Sequence, residues 1–181
     1  GIYSEINVSY EKTNANASPA IFFDSYGHAV VPLLGGLAIR DINAEETQTL
    51  GYFSPKQHDN GEYLIQSSYS FVDESNRLVC PTNNNHVLML KATDEDGNVL
   101  PEFEKVLDID IKAAAEAALG KTLDQNLLAV VFDYEGNLWF ATGGFRIYPD
   151  RKQQGAMGYI SRTAIDAILN GEETDLSEAV F

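Results

Sequence analysis

Short apolar runs, each closed by a cluster of turn-forming residues, recur along the chain. Three of them align without a gap on Asp24, Asp73 and Asp133: FFDSYGHAVVPLLGG from residue 22, FVDESNRLVCPTNNN from 71 and VFDYEGNLWFATGGF from 131. Each reads as two apolar residues, an Asp, two variable residues, a turn residue (Gly27, Asn76 or Gly136), one polar residue and a second apolar run. The pattern predicts a β-hairpin. The Gly or Asn accepts a positive φ, and the Asp carboxylate can cap the turn amides, so the Asp is read as a turn former before it is read as a catalyst. Phe23, Val72 and Phe132 are expected to be equivalent in three dimensions. Runs that are apolar at successive positions, 127–132 and 138–141, suit strands covered on both faces.

The anchors are 49 residues apart from Asp24 to Asp73 and 60 apart from Asp73 to Asp133. That is the range of one four-stranded propeller blade with loop insertions. Further strands are expected at 37–42 and 86–92, and an outer strand at 99–106 after the solvated turn at Asp94 to Asn98. Two helical insertions interrupt the pattern. One is alanine-rich, Ile111 to Leu119, with Gly120 as its stop; the other, 161–169, opens on a capping Ser161 and ends at Asn170-Gly171. The expected class is therefore all-β, built of β-propeller blades with two short helical insertions, and residues 1–181 are read as one domain. Ala179-Val180-Phe181 matches the residues that precede the anchor Asp in the other units, so the next anchor would fall at 182. We expect a second chain, or residues outside this sequence, to complete the propeller, making a hetero-oligomer.

The stretch from Phe132 to Thr142, FDYEGNLWFAT, resembles the blade motif of several propeller families. These are the streptogramin lyase type, the periplasmic two-component regulator propellers, and the six-bladed group of senescence-marker, lactonase and strictosidine synthase-like proteins. The nearest likeness is to uncharacterised bacterial six-bladed propellers. The resemblance covers the three hairpins well and the connecting segments poorly, and it is specific for fold rather than activity. It implies that the chain is about half of a six-bladed propeller. It also implies a periplasmic or secreted setting and, by likeness to the calcium-dependent hydrolases of the group, a metal in the central channel.

Composition narrows the partners. Twelve basic against 27 acidic residues give a net charge of −15, which repels nucleic acid and anionic membrane surfaces. Neither is an expected partner; a small-molecule substrate or ligand is. No apolar run is long enough to span a bilayer. The single cysteine, Cys80, excludes an intramolecular disulfide framework and reads as an inert buried thiol in an apolar strand.

Propeller sites form where the innermost strands start. The corresponding positions are Asn14, Asn16 and Ser18, then Gln66, Ser67 and Ser68, then Asp124, Gln125 and Asn126. Amide oxygens and a carboxylate converging on one axis suit a hard cation such as calcium, and Asn16, Gln66, Asp124 and Asn126 are the candidate metal ligands. The same residue types also cap strand ends facing water. Glu62 could add a carboxylate, although Asn60-Gly61 before it reads as a hairpin turn. Of the three histidines, His58 and His86 are candidate general bases, while His28 falls in a hairpin turn. Thr142 to Arg146 has the glycines of an anion pocket but no phosphate-binding motif around it, and no GxSxG elbow is present. Two functions remain in view. One is a calcium-assisted hydrolase or lyase with its site at the channel; the other is a non-catalytic propeller binding a ligand or a protein. A quinone-dependent dehydrogenase is weaker, since its tryptophan-docking repeats are missing.

Overall fold

A computed structural model describes residues 21–33, 36–41, 48–53, 65, 69–124, 126–143 and 155–180. Strands dominate, with three short helices among the described residues. The strands fall into three antiparallel meanders. The first holds β1 (Phe22–Phe23), β2 (Ala29–Leu33), β3 (Gly36–Asp41) and β4 (Gln48–Phe53). The second holds β5 (Phe71–Val72), β6 (Arg77–Pro81), β7 (His86–Thr93) and β8 (Val99–Asp110). The third holds β9 (Asn126–Phe132), β10 (Leu138–Gly143) and β11 (Met157–Ile160).

The first hairpin of each meander has the same register. Phe23 pairs with Ala29, Val72 with Leu78 and Phe132 with Leu138, each six residues on, so the three positions aligned in the sequence occupy equivalent ladder sites. The first two meanders join through one parallel pair, Tyr52 with Glu102, to give an eight-stranded order β1-β2-β3-β4-β8-β7-β6-β5. That sheet curls toward closure, barrel-like. Its two edge hairpins meet where the Ser25 N–H donates to Asn76 Oδ1 at 2.7 Å.

Alternation along the strands of the second meander explains its place. Leu78, Cys80, Leu88, Leu90 and Phe103 turn to one side and pack with Val30, Leu37, Ile39 and Phe53 of the first meander. Val79, Val87, Met89, Leu107 and Ile109 turn to the other and pack with Leu127, Val130, Leu138, Phe140 and Ile160 of the third. The second meander is thus covered on both faces. Cys80 lies fully buried in the first of these cores, and burial pushes its thiol up to about 12, so it is unreactive.

Both expected helices form. α1 (Ile111–Leu119) is capped by the Asp110 carboxylate, which accepts from the Ala113 N–H, and stops at Gly120 in the left-handed region with φ +63°. α2 (Arg162–Leu169) is capped by Ser161, whose side chain accepts from the Ala164 N–H. A third helix, α3 (Leu176–Ala179), was not expected. It occupies the segment read as the start of a new hairpin, and Val180 after it bridges antiparallel to Ile160, beside β11. Ala179 and Val180 pack into the third meander's core. Strands β4 and β11 also lay outside the expectation, and β8 runs on to Asp110 instead of ending at 106.

Candidate functional site

The repeated Asp residues are occupied by their own turns. Asp24 Oδ1 accepts from the N–H groups of Tyr26 and His28, Asp73 Oδ1 from Ser75 and Arg77, and Asp133 Oδ1 from Glu135 and Asn137. The second oxygen takes the side chain four residues on: His28 Nδ1 at 2.8 Å, Arg77 Nε at 2.7 Å and Asn137 Nδ2 at 2.9 Å. A fourth copy sits at Asp94, with Asp96 and Asn98 as partners and Gly97 at φ +84°. This last turn lies between β7 and β8. Its carboxylate is committed to its own amides in the same way.

At the other end of the strands lies a different cluster. His86 opens β7, opposite Asp110 in register. Its Nδ1 is 2.6 Å from Asp108 Oδ1 and its Nε2 is 3.7 Å from Asp110 Oδ2. Lys105 Nζ donates to the other Asp108 oxygen at 3.1 Å. Asp108 and Asp110 are two apart on β8 and so share a face with His86. Both His86 and Asp108 are half-buried. Burial alone would raise the Asp108 carboxyl, but hydrogen bonds from His86 and Lys105 and their charges hold it below its ordinary value. An ionised Asp108 can only accept, so the short contact calls for a proton on His86 Nδ1, while Nε2 faces the Asp110 carboxylate.

The β6–β7 turn sets the histidine in place. Thr82 Oγ1 accepts from the His86 N–H, and the Thr82 N–H donates to the His86 carbonyl at 2.8 Å. Asn85, in the left-handed region at φ +75°, is the fastener. Its carbonyl accepts from the Ile111 N–H, and its Oδ1 accepts from the Leu127 N–H at 2.7 Å. The start of α1 and the start of β9 are thereby tied next to His86. Asp124 and Asn126 lie in this same region, both exposed, Asn126 as the first residue of β9.

Asn16, His58 and Gln66 lie outside the described residues, as do Glu62, Gln125 and Arg146. Among the described candidates, His86, Asp124 and Asn126 come to one end of the molecule. Sequence reasoning missed Asp108, Asp110 and Lys105. A longer outer strand would have revealed them, because Asp-Ile-Asp at its end puts two carboxylates on one face. Calcium takes six to eight oxygens, and Asp124 and Asn126 offer one carboxylate and one amide oxygen between them, so the described residues do not by themselves make such a site. Among them, no group of three or more His, Cys, Asp and Glu is arranged to hold a metal ion. No helix of the described chain is long and apolar enough to cross a membrane. No protein-family model matches the sequence, and a search of curated proteins finds no match.

Proposed function

We propose that the chain is part of a β-propeller that acts on a small molecule, as a hydrolase or lyase, with His86 as the proton-transferring base. The observation that carries the chemistry is the 2.6 Å contact between His86 Nδ1 and Asp108 Oδ1. A carboxylate behind an imidazole orients the ring and stabilises the imidazolium that forms when Nε2 takes a proton. In hydrolysis Nε2 would take that proton from water as its oxygen attacks a carbonyl carbon, then return it to the leaving oxygen. The propeller reading is supported by three meanders that share one turn and one register, stacked so that the middle one is covered on both faces.

A panel of small esters and lactones, assayed with the wild type, His86→Gln and Asp108→Asn, tests the chemistry. Loss of about a hundredfold or more in turnover for both variants, each still folded by circular dichroism, is the expected result. Activity unchanged in His86→Gln, or none in the wild type, would overturn it. The calcium expected from the family likeness has its own test. A melting temperature that does not move on adding chelator removes calcium from the reading.

A second, non-catalytic reading rests on a different observation. The third meander's outward face carries Val131 at 57% and Met157 at 78% exposure, beside Trp139 and Tyr159, whose rings meet at a tilt with centroids 4.9 Å apart. The matching faces of the second meander are covered by other meanders, so the fitting occupant is a further meander of the same repeat, on a partner chain. Native mass spectrometry of the protein from its source should find a second chain bound. A lone species of 19.9 kDa would defeat that assembly.

A further inference from the structure

A cleft of about 220 Å³ opens at the end of the molecule opposite His86, between the β5–β6 turn, the β9–β10 turn and the first turn of α2. Two of the three arginines among the described residues, Arg77 and Arg162, line it, in a protein of net charge −15. Both guanidinium groups are held by Nε alone, Arg77 to Asp73 at 2.7 Å and Arg162 to Asp166 at 3.4 Å. Their terminal nitrogens make no hydrogen bond among the described residues.

Arg162 is also set from behind. Its backbone N–H donates to Asn137 Oδ1 at 3.0 Å, and its aliphatic stem lies on Gly136, where a Cβ would come within 3.0 Å of Arg162 Cδ. Phe132 and Ile165 give the cleft an apolar wall. The remaining charges are negative. Asp73 is spent on its turn and on Arg77, whereas Glu74 has no ion-pair partner among the described residues and Asp166 holds only Arg162.

We propose that this cleft binds a small amino carboxylate with an apolar side chain. Its carboxylate would lie on the Arg77 and Arg162 guanidinium groups, its ammonium on Glu74 and Asp166, and its side chain on Phe132 and Ile165. A simple anion satisfies the arginines but faces Glu74 and Asp166; a simple amine faces the arginines. Only a ligand carrying both charges complements the whole lining. The site is independent of the chemistry at His86, and either can fail alone.

Calorimetric titration of the full chain with phenylalanine, 3-phenylpropionate and 2-phenylethylamine tests the proposal. Phenylalanine should bind at millimolar concentration or tighter, with each analogue weaker by about tenfold or more. Arg162→Gln should weaken phenylalanine by a similar factor and leave the melting temperature unchanged, because that side chain is two-thirds exposed. Glu74→Gln should weaken phenylalanine while sparing 3-phenylpropionate. Absence of phenylalanine binding, equal binding of 3-phenylpropionate, or wild-type affinity in Arg162→Gln would each overturn it.

Discussion

Asp133 shows how much one carboxylate does in this repeat. Hydrogen bonds from the Asn137 amide and then the Trp139 indole, with backbone N–H groups behind them, pull its carboxyl from 3.8 down to about 2. A carboxyl depressed on folding adds stability above its unfolded pKa, and that stability is lost as pH falls from about 4 through about 2. Melting temperatures measured across that window should therefore fall less steeply for Asp133→Asn than for the wild type. Asp94, Asp108 and Asp175, which are also held below their ordinary values, add to the slope that remains. Asn76 is a second case. It stands where the other turns have glycine, at φ +59°, and its amide accepts from Ser25 and donates to Thr93 Oγ1 at 3.0 Å. Asn76→Gly keeps the backbone but cuts both ties, and denaturant titration should show a loss of about 1–2 kcal/mol.

Elements were legible in the sequence to the extent that their signals are local. The Asp turns announce themselves within five residues, and α1 and α2 by their caps, Gly120 and Ser161. β4 carries Gln, Thr and Gly where a strand signal wants alternation. Its place is fixed by a distant partner, since a Cβ on Gly51 would collide with the Leu100 carbonyl and the Phe103 ring of β8. His86 was legible as a residue and illegible as a site. Its carboxylate lies 22 positions on, across a ladder whose register shifts at Met89/Leu90 and again at Lys91/Thr93. Packing at this scale can be checked by contrast. Leu88→Ala, at a fully buried position between the first two meanders, should cost about 2–5 kcal/mol. Val131→Ala, on the exposed face of β9, should stay within about 0.5 kcal/mol in the isolated chain. A larger loss there would mean that the face is already covered.

At the scale of the whole molecule the acidic surface and the stacked meanders act on different properties. The charge governs association and solubility, and raising ionic strength should relieve its self-repulsion. The stacking governs how the molecule comes apart. Strands β6, β7 and β8 each have a neighbour strand on both sides and a hydrophobic core above and below. Their amides can reach water only after one outer layer has lifted and the sheet itself has opened. In deuterium-exchange measurements the N–H groups of Val79, Leu88 and Leu90 should outlast those of β1 and β11, with protection approaching that of global unfolding. The central meander would then be the last part of the chain to yield, and the layers on either side of it separable cooperative units.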